Sequence, residues 1–306
     1  MGIRRKEGGA FKEKEELRFS GGGGQRKATL KVLQWNCDHL MAKKAELEDF
    51  LEDGDIDVAL LQETKLRMED TEVRVRGYEV IRKDRRREGM SRLARGGGLV
   101  TLIRKGMRYQ VMKVNEELER SGIEMLCVEV FMVGGGSWKM GNVYIPPEGA
   151  GRVMIERLDR APGNTDEAWL VGGDFNAHHH LWDNKGRADS RGDKVLEWME
   201  RRGLMAMNEG DTTRVERGTG RESTPDISLC SEGWEWKWEW RVVREGMGSD
   251  HRPIVMSLEV NKEVGKRKFV TWDWKRQTGR DIERTLGGTW RVWKIERVAC
   301  LRWRGS

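Results

Sequence analysis

The chain has 306 residues, of which 35% are charged and 37% are hydrophobic, and its formal net charge is +6 at pH 7. This length suits one large domain with tails or two small domains, and it allows a substantial buried core. The excess of basic residues favours a polyanionic partner. No apolar run approaches the roughly 20 residues that span a bilayer. No apolar N-terminal segment indicates a secretory signal.

The cysteines argue against a disulfide or zinc framework. Cys37, Cys127, Cys230 and Cys300 lie far apart, and no pair has the CxxC spacing of a zinc or redox site. Cys37 and Cys127 fall in strand-like runs, so we expect buried thiols there. An intracellular, reducing compartment follows as the expectation.

The predicted elements begin after a charged segment. Residues 1–28 contain the glycine run 21–24 and are predicted to form a flexible tail. Alternation and apolar runs then predict strands at 30–35, 57–61, 78–81, 98–103, 125–131, 138–144, 169–171, 227–229, 234–243 and 253–260. Helical spacing predicts helices at 42–51, 153–158 and 195–199. The strands at 125–131 and 138–144 are expected to form an antiparallel pair joined by a turn at the glycines 134–136.

This pattern predicts the fold class and the domain bounds. Many strands, few helices and mixed connections are typical of an α/β (α+β) sandwich, in which two packed mixed β-sheets are flanked by helices. We expect the domain to cover residues 29–260. Residues 261–306 are polar and rich in tryptophan, without clear alternation, and are expected to be a linker remnant.

The most informative segment is residues 171–178. An apolar run meets two glycines and then Asp174 and Asn176, which indicates a buried strand that ends in a tight turn with polar side chains at its carboxyl end. Asp174 can orient or deprotonate a water molecule, and Asn176 can donate a hydrogen bond to a phosphate oxygen. The alternative is an ordinary Asx turn between a strand and a loop.

Five further strand ends or turns carry similar polar groups. They are the segments 36–38, 62–64, 142–147, 224–226 and 249–253. One such end is ordinary, but six suggest a shared polar cleft. Several buried carboxylates could not all stay ionised without a cation, and carboxylate oxygens suit Mg²⁺ or Mn²⁺. Metal, water and donors to a phosphate are what phosphodiester hydrolysis requires.

These motifs resemble one known family as a set. GGDFNAHHHLWD (172–183), STPDISL (223–229) and GSDHRPI (248–254) are similar, in this order, to the endonuclease/exonuclease/phosphatase superfamily. Within it they resemble most the AP-like endonuclease domain of LINE-type, non-LTR retrotransposons. The resemblance covers roughly residues 30–260 and implies the deoxyribonuclease-like four-layer fold.

The resemblance implies a metal site built from carboxylates. Asp38 and Glu63 would bind a divalent metal, Mg²⁺ or Mn²⁺, with Glu63 as the principal ligand, and Asp250 would support the metal region. Asn36 would orient the nucleophile side of the site. For each residue, the alternative is a structural polar side chain at a strand end.

The resemblance also implies the catalytic groups. Tyr144 would contact the scissile phosphate, Asp174 would activate the attacking water, and Asn176 would stabilise the phosphate. Asp226 would pair with His251, and His251 would polarise the phosphate in the transition state.

A basic loop is the candidate DNA contact outside the cleft. Arg85, Arg86 and Arg87 follow a predicted strand and would track a DNA backbone, although a solvated charged loop is an equal alternative. Thr224 would help to shape the cleft, or it is simply a turn residue before a proline.

Two other patterns favour structural interpretations. The tryptophans of segment 234–240 alternate with period two, so we expect them to face the core rather than to stack on bases. The adjacent His178, His179 and His180 are not expected to converge on one metal ion.

The resemblance therefore implies a Mg²⁺-dependent endonuclease that nicks DNA to prime reverse transcription, in the nucleus when active. DNA would be its partner, without a membrane or an organic cofactor, and a longer form would also meet element RNA or a reverse transcriptase. The alternatives are an AP endonuclease of DNA repair, a silent nucleic-acid-binding remnant and a phosphatase of small molecules or lipids. No polymerase motif is visible, so we expect a truncated element copy or an excised domain.

Overall fold

The computed structural model describes residues 29–67, 69–70, 72–85, 97–132, 135–147, 153–162, 167–185 and 188–259. The predicted tail, 1–28, and the predicted linker remnant, 261–306, lie outside this part of the chain, so both assignments stay predictions. In the described part, no helix has the length and apolar character needed to cross a membrane.

The described chain is built mainly from short strands. They are β1 (Thr29–Asn36), β2 (Val58–Gln62), β3 (Tyr78–Lys83), β4 (Leu99–Arg104), β5 (Arg108–Met112), β6 (Glu124–Phe131), β7 (Ser137–Tyr144), β8 (Trp169–Asp174), β9 (Leu204–Ala206), β10 (Arg214–Val215), β11 (Glu222–Ser223), β12 (Asp226–Ser231), β13 (Trp238–Val242) and β14 (Ile254–Glu259). The helices are α1 (Leu40–Asp53), α2 (Glu116–Glu119) and α3 (Ser190–Arg201), with 3-10 helices at Ile155–Arg160 and Glu235–Lys237.

Two six-stranded mixed sheets form the centre of the fold. Their strand orders are β13-β14-β1-β2-β4-β3 and β5-β6-β7-β8-β12-β9. Each sheet has one parallel pair, β1 with β2 and β7 with β8, and its other pairs are antiparallel. The predicted sandwich of two mixed sheets, including the antiparallel pair β6–β7, is confirmed.

The parallel pairs bring carboxyl ends of strands together. Asn36 lies beside Gln62 in the β1–β2 register. Tyr144 lies beside Asp174 in the β7–β8 register. Each sheet therefore delivers two neighbouring strand ends to one edge, which is where polar side chains can meet.

Apolar packing separates the chain into layers. One buried cluster contains residues of both sheets, including Val32, Leu60, Met140 and Leu170, and fills the space between them. A second cluster packs α1 on the first sheet, and a third packs α3 on the second. Burial of apolar area at roughly 25 cal/mol per Å² is the main stabilising contribution to such layers.

Buried hydrogen bonds also tie the sheets together. Gln34 of the first sheet donates to the carbonyl of Gly173 at 3.1 Å and accepts from the Ser228 hydroxyl at 2.8 Å. Gln62 donates to the side-chain carbonyl of Asn142 at 2.8 Å. A one-residue slip of either sheet would leave these buried amides unpaired, at about 1–3 kcal/mol each.

The tryptophan segment differs partly from its prediction. A strand over 234–243 is wrong at its start, because Trp234 lies in a turn that leads into the 3-10 helix and β13 begins at Trp238. The backbone N–H of Trp234 bonds to the carbonyl of Ser231 at 3.2 Å, which is turn geometry. Trp238 and Trp240 are buried as expected, whereas Trp236 is 47% exposed.

Other differences concern short elements. The helix predicted at 153–158 is a 3-10 helix, Ile155–Arg160. Strands β9, β10 and β11 and helix α2 were not predicted, because two to four residues are too few for a hydrophobic period to show. Strand β5 was not predicted because it is largely exposed and has no apolar run.

Close packing explains the two glycines before Asp174. A Cβ on Gly173 would overlap the carbonyl oxygen of Val143 in the parallel neighbour β7. A Cβ on Gly172 would lie 2.5 Å from Oε1 of Gln34 in the facing sheet. These glycines allow β8 to approach both neighbours and so set the position of Asp174.

We therefore expect Gly173→Ala to lower the free energy of unfolding by about 1–3 kcal/mol, because the added methyl must push β8 away from β7. Urea unfolding of the purified chain measures this change. Gly246→Ala is the matched control, since its nearest neighbour, the carbonyl oxygen of Ser249, would lie 3.4 Å away. Equal stability of the two variants would contradict the packing argument.

Candidate active site

The predicted polar strand ends meet at one edge of the sandwich. Asn36 ends β1, Tyr144 ends β7, Asp174 ends β8 and Asp226 begins β12, while His251 precedes β14. All five side chains are buried, although they stand at the rim of the sheets. Burial gives their charges and hydrogen bonds more weight than the same contacts would have in water.

Asn36 connects carboxylates of both sheets. Its Nδ2 donates to Oδ2 of Asp174 at 2.8 Å and to Oε1 of Glu63 at 3.2 Å. The hydroxyl of Tyr144 donates to the same oxygen of Glu63 at 3.0 Å. These three bonds fix the relative positions of Glu63, from the loop after β2, and Asp174, from β8.

Asp226 and His251 form a buried pair. Nδ1 of His251 lies 2.9 Å and 3.1 Å from the two carboxylate oxygens of Asp226. The Thr213 hydroxyl also donates to Asp226, at 2.7 Å. Because Asp226 engages Nδ1, the other ring nitrogen, Nε2, is left to face Asp174, whose Oδ2 is 3.9 Å away.

Burial and neighbouring charge shift two pKa values in the site. Burial raises the pKa of Asp174 to about 7, and the charges of Asp226 and Glu63 act in the same direction, against that of His251. Burial lowers the pKa of His251, but the charge of Asp226 and its hydrogen bond outweigh burial and raise that pKa to about 9. These neighbours therefore favour the protonated imidazole of His251 and disfavour the ionised form of Asp174.

Asp38 and Glu63 share a lysine that the sequence analysis did not single out. The Lys65 ammonium pairs with Oδ1 of Asp38 and lies 3.6 Å from Oε2 of Glu63. Burial alone would raise the pKa of Asp38, but the hydrogen bond and charge of Lys65, aided by Lys43, hold it below its usual range. The signal available in the sequence was a lysine two residues after Glu63.

Strained backbone accompanies these groups. Asp38, Glu63, Lys65 and Asn176 have φ values of 43°, 48°, 54° and 44°. Residues other than glycine rarely occupy this left-handed region, and such strain persists only where surrounding contacts hold it.

The predicted metal residues do not all converge. In the described part of the chain, the group whose candidate ligand atoms lie within 4.8 Å of one another is Asp174, Asp226 and His251. Asp250 instead accepts a 2.9 Å hydrogen bond from Nε of Arg214, so the positive charge of Arg214 already balances the negative charge of its carboxylate.

Asn176 has a partly structural role. Its side-chain amide donates to the carbonyl of Ile145 at 2.9 Å, and its backbone N–H donates to Oδ1 of Asp174 at 3.0 Å. Asn176 thus holds the loop after β8 and one oxygen of Asp174.

Arg85, predicted to contact DNA, and Thr224, predicted to shape the cleft, both have partners within the protein. The Arg85 side chain is only 11% exposed and pairs with Glu124, so it is not a solvent-facing contact. Thr224 is buried, and its hydroxyl donates to the carbonyl of Asp211 at 3.3 Å. Arg86 and Arg87 lie outside the described residues.

The three adjacent histidines diverge, as expected. His178 places Nδ1 2.9 Å from Oδ2 of Asp183, and this hydrogen bond raises the pKa of His178. Nδ1 of His179 accepts from the backbone N–H of Leu181, whereas His180 is exposed. The three do not form a metal-binding group within the described residues.

The chain is similar in sequence to proteins of mobile elements. Residues 138–255 match a family model described as endonuclease-reverse transcriptase. The chain is 24% identical over 243 residues to a probable RNA-directed DNA polymerase from transposon BS of Drosophila melanogaster, covering 76% of this chain and 24% of that protein. It is 28% identical over 169 residues to the RNA-directed DNA polymerase from mobile element jockey of the same species, covering 55% of this chain and 17% of that protein. The chain thus spans about a quarter or less of the length of these curated relatives.

Solved structures show the same fold. The endonuclease domain of TRAS1, a telomere-specific non-LTR retrotransposon, is similar with a TM-score of 0.61 at 21% identity, over 77% of this chain and 100% of that one. The AP endonuclease LMAP from Leishmania major is similar with a TM-score of 0.57 at 19% identity, over 76% and 88%. The resemblance stated from the sequence is confirmed, and the chain has the deoxyribonuclease-like fold of the endonuclease/exonuclease/phosphatase superfamily.

The Asp226–His251 pair predicts a defined pH dependence of stability. A raised folded-state pKa means that the folded chain binds this proton more tightly, so the stabilisation is complete below pH 6.5 and is lost as pH rises through about 9. The shift corresponds to roughly 3 kcal/mol. In Asp226→Asn we expect a much smaller loss of stability over this window, measured by urea unfolding in EDTA at several pH values.

The His251 ring itself provides the second measurement. Its NMR titration midpoint should fall from about 9 in the wild-type chain toward or below 6.5 in Asp226→Asn. An unchanged midpoint in the variant would contradict the assignment of Asp226 as the main cause. His251→Ala identifies the resonance.

Proposed function

We propose that this chain is the endonuclease domain of a non-LTR retrotransposon and hydrolyses a phosphodiester bond of DNA with the help of a divalent metal. The observation that carries the proposal is the buried Asp226–His251 pair, which presents Nε2 of the imidazole toward Asp174. The match of residues 138–255 to the endonuclease-reverse transcriptase family supports the same function.

Asp174 is suited to accept the proton of the attacking water. Its pKa of about 7 lies near the working pH, which favours general base catalysis. Asn36 holds one carboxylate oxygen of Asp174, and the backbone N–H of Asn176 holds the other, so the carboxylate has a fixed orientation.

His251 is suited to stabilise the charge that develops on the phosphate. Its pKa of about 9 keeps the imidazole protonated at neutral pH, and Asp226 fixes the ring. A preorganised cation of this kind favours the transition state, in which negative charge accumulates. Tyr144, whose hydroxyl also bonds to Glu63, would contact the same phosphate.

The donor set fits a hard divalent cation. Asp38 and Glu63 supply carboxylate oxygens, the ligands preferred by Mg²⁺ and Mn²⁺. The neighbouring Asp174 is buried beside Glu63, which disfavours its ionised form unless positive charge is near. Asp38 and Glu63 would hold the metal, with Asp250 supporting the region from its ion pair with Arg214. When bound, the metal would supply positive charge opposite the phosphate oxygens.

The relatives suggest the biological role. Nicking would leave a 3′-hydroxyl that primes reverse transcription, and the matched proteins from Drosophila melanogaster are named RNA-directed DNA polymerases. DNA in the nucleus would be the substrate, and a longer form would bring a reverse transcriptase and element RNA to it. Residues 29–260 would constitute the endonuclease domain.

We expect Mg²⁺-dependent nicking of supercoiled plasmid, no nicking in EDTA, and a loss of about 10²- to 10⁴-fold in His251→Ala. Gel electrophoresis of the relaxed form measures the rate. His180→Ala is the matched control, because His180 is exposed and outside the site. No nicking by the folded wild-type chain would favour a silent nucleic-acid-binding remnant.

Substrate choice separates the alternatives. A retrotransposon nicking enzyme should cleave an intact duplex, whereas an AP endonuclease should require an abasic site. Inositol phosphate serves as the third substrate, and hydrolysis of it alone would contradict the nuclease proposal.

We also expect Mg²⁺ to raise the thermal unfolding temperature more at pH 8 than at pH 6. Burial raises the pKa of Asp174 to about 7, so at the higher pH its negative charge beside the metal ligand Glu63 favours the cation. The stabilisation follows ligand binding to the folded chain and reaches about 2.7 kcal/mol at 100 times Kd. Differential scanning fluorimetry measures it, with Glu63→Gln expected to abolish the shift.

Glu200→Gln controls for the loss of one carboxylate, because Glu200 is exposed on α3 and distant in sequence from the site. A Mg²⁺ shift that survives Glu63→Gln would remove Glu63 from the metal site.

A further inference from the structure

Arg85 and Glu124 form a buried ion pair close to the proposed metal ligands. Nε of Arg85 pairs with Oε1 of Glu124, and each side chain is only 11% exposed. The second carboxylate oxygen of Glu124 accepts a 2.6 Å hydrogen bond from the backbone N–H of Gly98. One buried carboxylate therefore joins an arginine after β3 to a glycine segment before β4.

The glycine segment holds the loop that carries Glu63. The carbonyls of Gly97 and Gly98 accept hydrogen bonds from the backbone N–H groups of Lys65 and Thr64, at 3.0 Å and 3.1 Å. These are the two residues that follow Glu63. Gly97 and Gly98 have φ values of +91° and +87°, and this conformation turns their carbonyls toward the loop.

Arg85 is also linked to the carboxylate of Glu63 through Tyr144. Its guanidinium carbon lies 5.4 Å from the centroid of the Tyr144 ring, a cation–π contact. The Tyr144 hydroxyl donates to Oε1 of Glu63 at 3.0 Å. A Cβ on Gly97 would lie 2.5 Å from both Nε of Arg85 and Oε1 of Glu124, so a larger residue there would displace the pair.

We propose that Arg85 and Glu124 are a positioning pair, which fixes the carboxylate of Glu63 through Tyr144 on one side and through the Gly97–Gly98 backbone on the other. The inference deepens the proposed function and rests on it, because Glu63 is the proposed principal metal ligand. It assigns Arg85 a role inside the protein in place of a DNA backbone contact.

Two physical arguments support this role. Glu63 has a φ of 48°, a conformation that surrounding contacts must hold. A buried ion pair contributes little net stability relative to apolar packing, so geometric specificity is the better reason for its presence at this site. Partners that orient metal ligands typically contribute about 10- to 100-fold to metal affinity or activity.

The test compares Arg85→Met and Glu124→Gln with the wild-type chain in three measurements. Mn²⁺ binding is followed by electron paramagnetic resonance, duplex DNA binding in EDTA by fluorescence anisotropy, and plasmid nicking by its kcat and KM. We expect Mn²⁺ affinity and kcat to fall about 10- to 100-fold in both variants, while the Kd for DNA changes by less than about twofold. Excess metal should restore part of the nicking rate.

A DNA contact at Arg85 predicts the opposite pattern. Arg85→Met would then weaken DNA binding and lower the salt slope by about 1, whereas Glu124→Gln would free the arginine and tighten binding. That result, with unchanged Mn²⁺ affinity, overturns the proposal. Arg120→Met is the control for loss of charge, because the Arg120 side chain is 81% exposed.

Further variants distinguish the role of the Arg85–Glu124 pair from a folding defect and from a failure of the proposed function. If Arg85→Met unfolds, Arg85→Lys replaces it, since lysine keeps the charge but lacks the planar fork. In a Tyr144→Phe background we expect Arg85→Lys to have a smaller effect on Mn²⁺ affinity, because only the Gly97–Gly98 route remains, and full additivity would contradict action through Tyr144. A wild-type chain that binds Mn²⁺ without nicking would refute the proposed function, while the Mn²⁺ measurements would still decide the role of the pair.

Discussion

The site depends on one side-chain amide that joins the two sheets. Asn36 ends a strand of the first sheet, and its Nδ2 bonds to Glu63, in the loop after β2 of that sheet, and to Asp174 of the second sheet. Two carboxylates from different sheets are thereby held by a single neutral donor. The amide adds no charge, so it brings the acidic groups together without neutralising the negative potential that a metal or a protonated imidazole can use.

The rest of the sandwich makes that bridge possible. The Gln34–Gly173 and Gln62–Asn142 hydrogen bonds fix the register of one sheet on the other a short distance from the site. Gly173 lets β8 come close to β7, so Asp174 stands beside Tyr144. The packing of the layers, the buried amides and the glycines thus together fix the positions of the polar strand ends at the rim.

Much of this could be predicted from the sequence, for definite physical reasons. The central strands are apolar runs bounded by glycine and polar turns, so their existence and the paired sheets follow from periodicity. Asp174, Asp226 and His251 stand in motifs whose resemblance to a known superfamily predicts the candidate site. The parts that were missed depend on long-range contacts. Glu124 and Gln34 have no local signal, because the partners of their side chains lie 26 to 194 residues away in the sequence.

Arg85 shows why composition misleads at such a site. A run of basic residues after a strand is typical of a solvated or nucleic-acid-binding loop, and nothing in the run distinguishes its first arginine from the next two. The distinguishing residue is Glu124, which lies 39 positions later at the start of β6. A carboxylate buried there needs a paired cation, and Arg85 supplies one. The carboxylate of Glu124 also accepts a hydrogen bond from the backbone N–H of Gly98. The same arrangement therefore balances a buried charge and supports the strained backbone at Glu63.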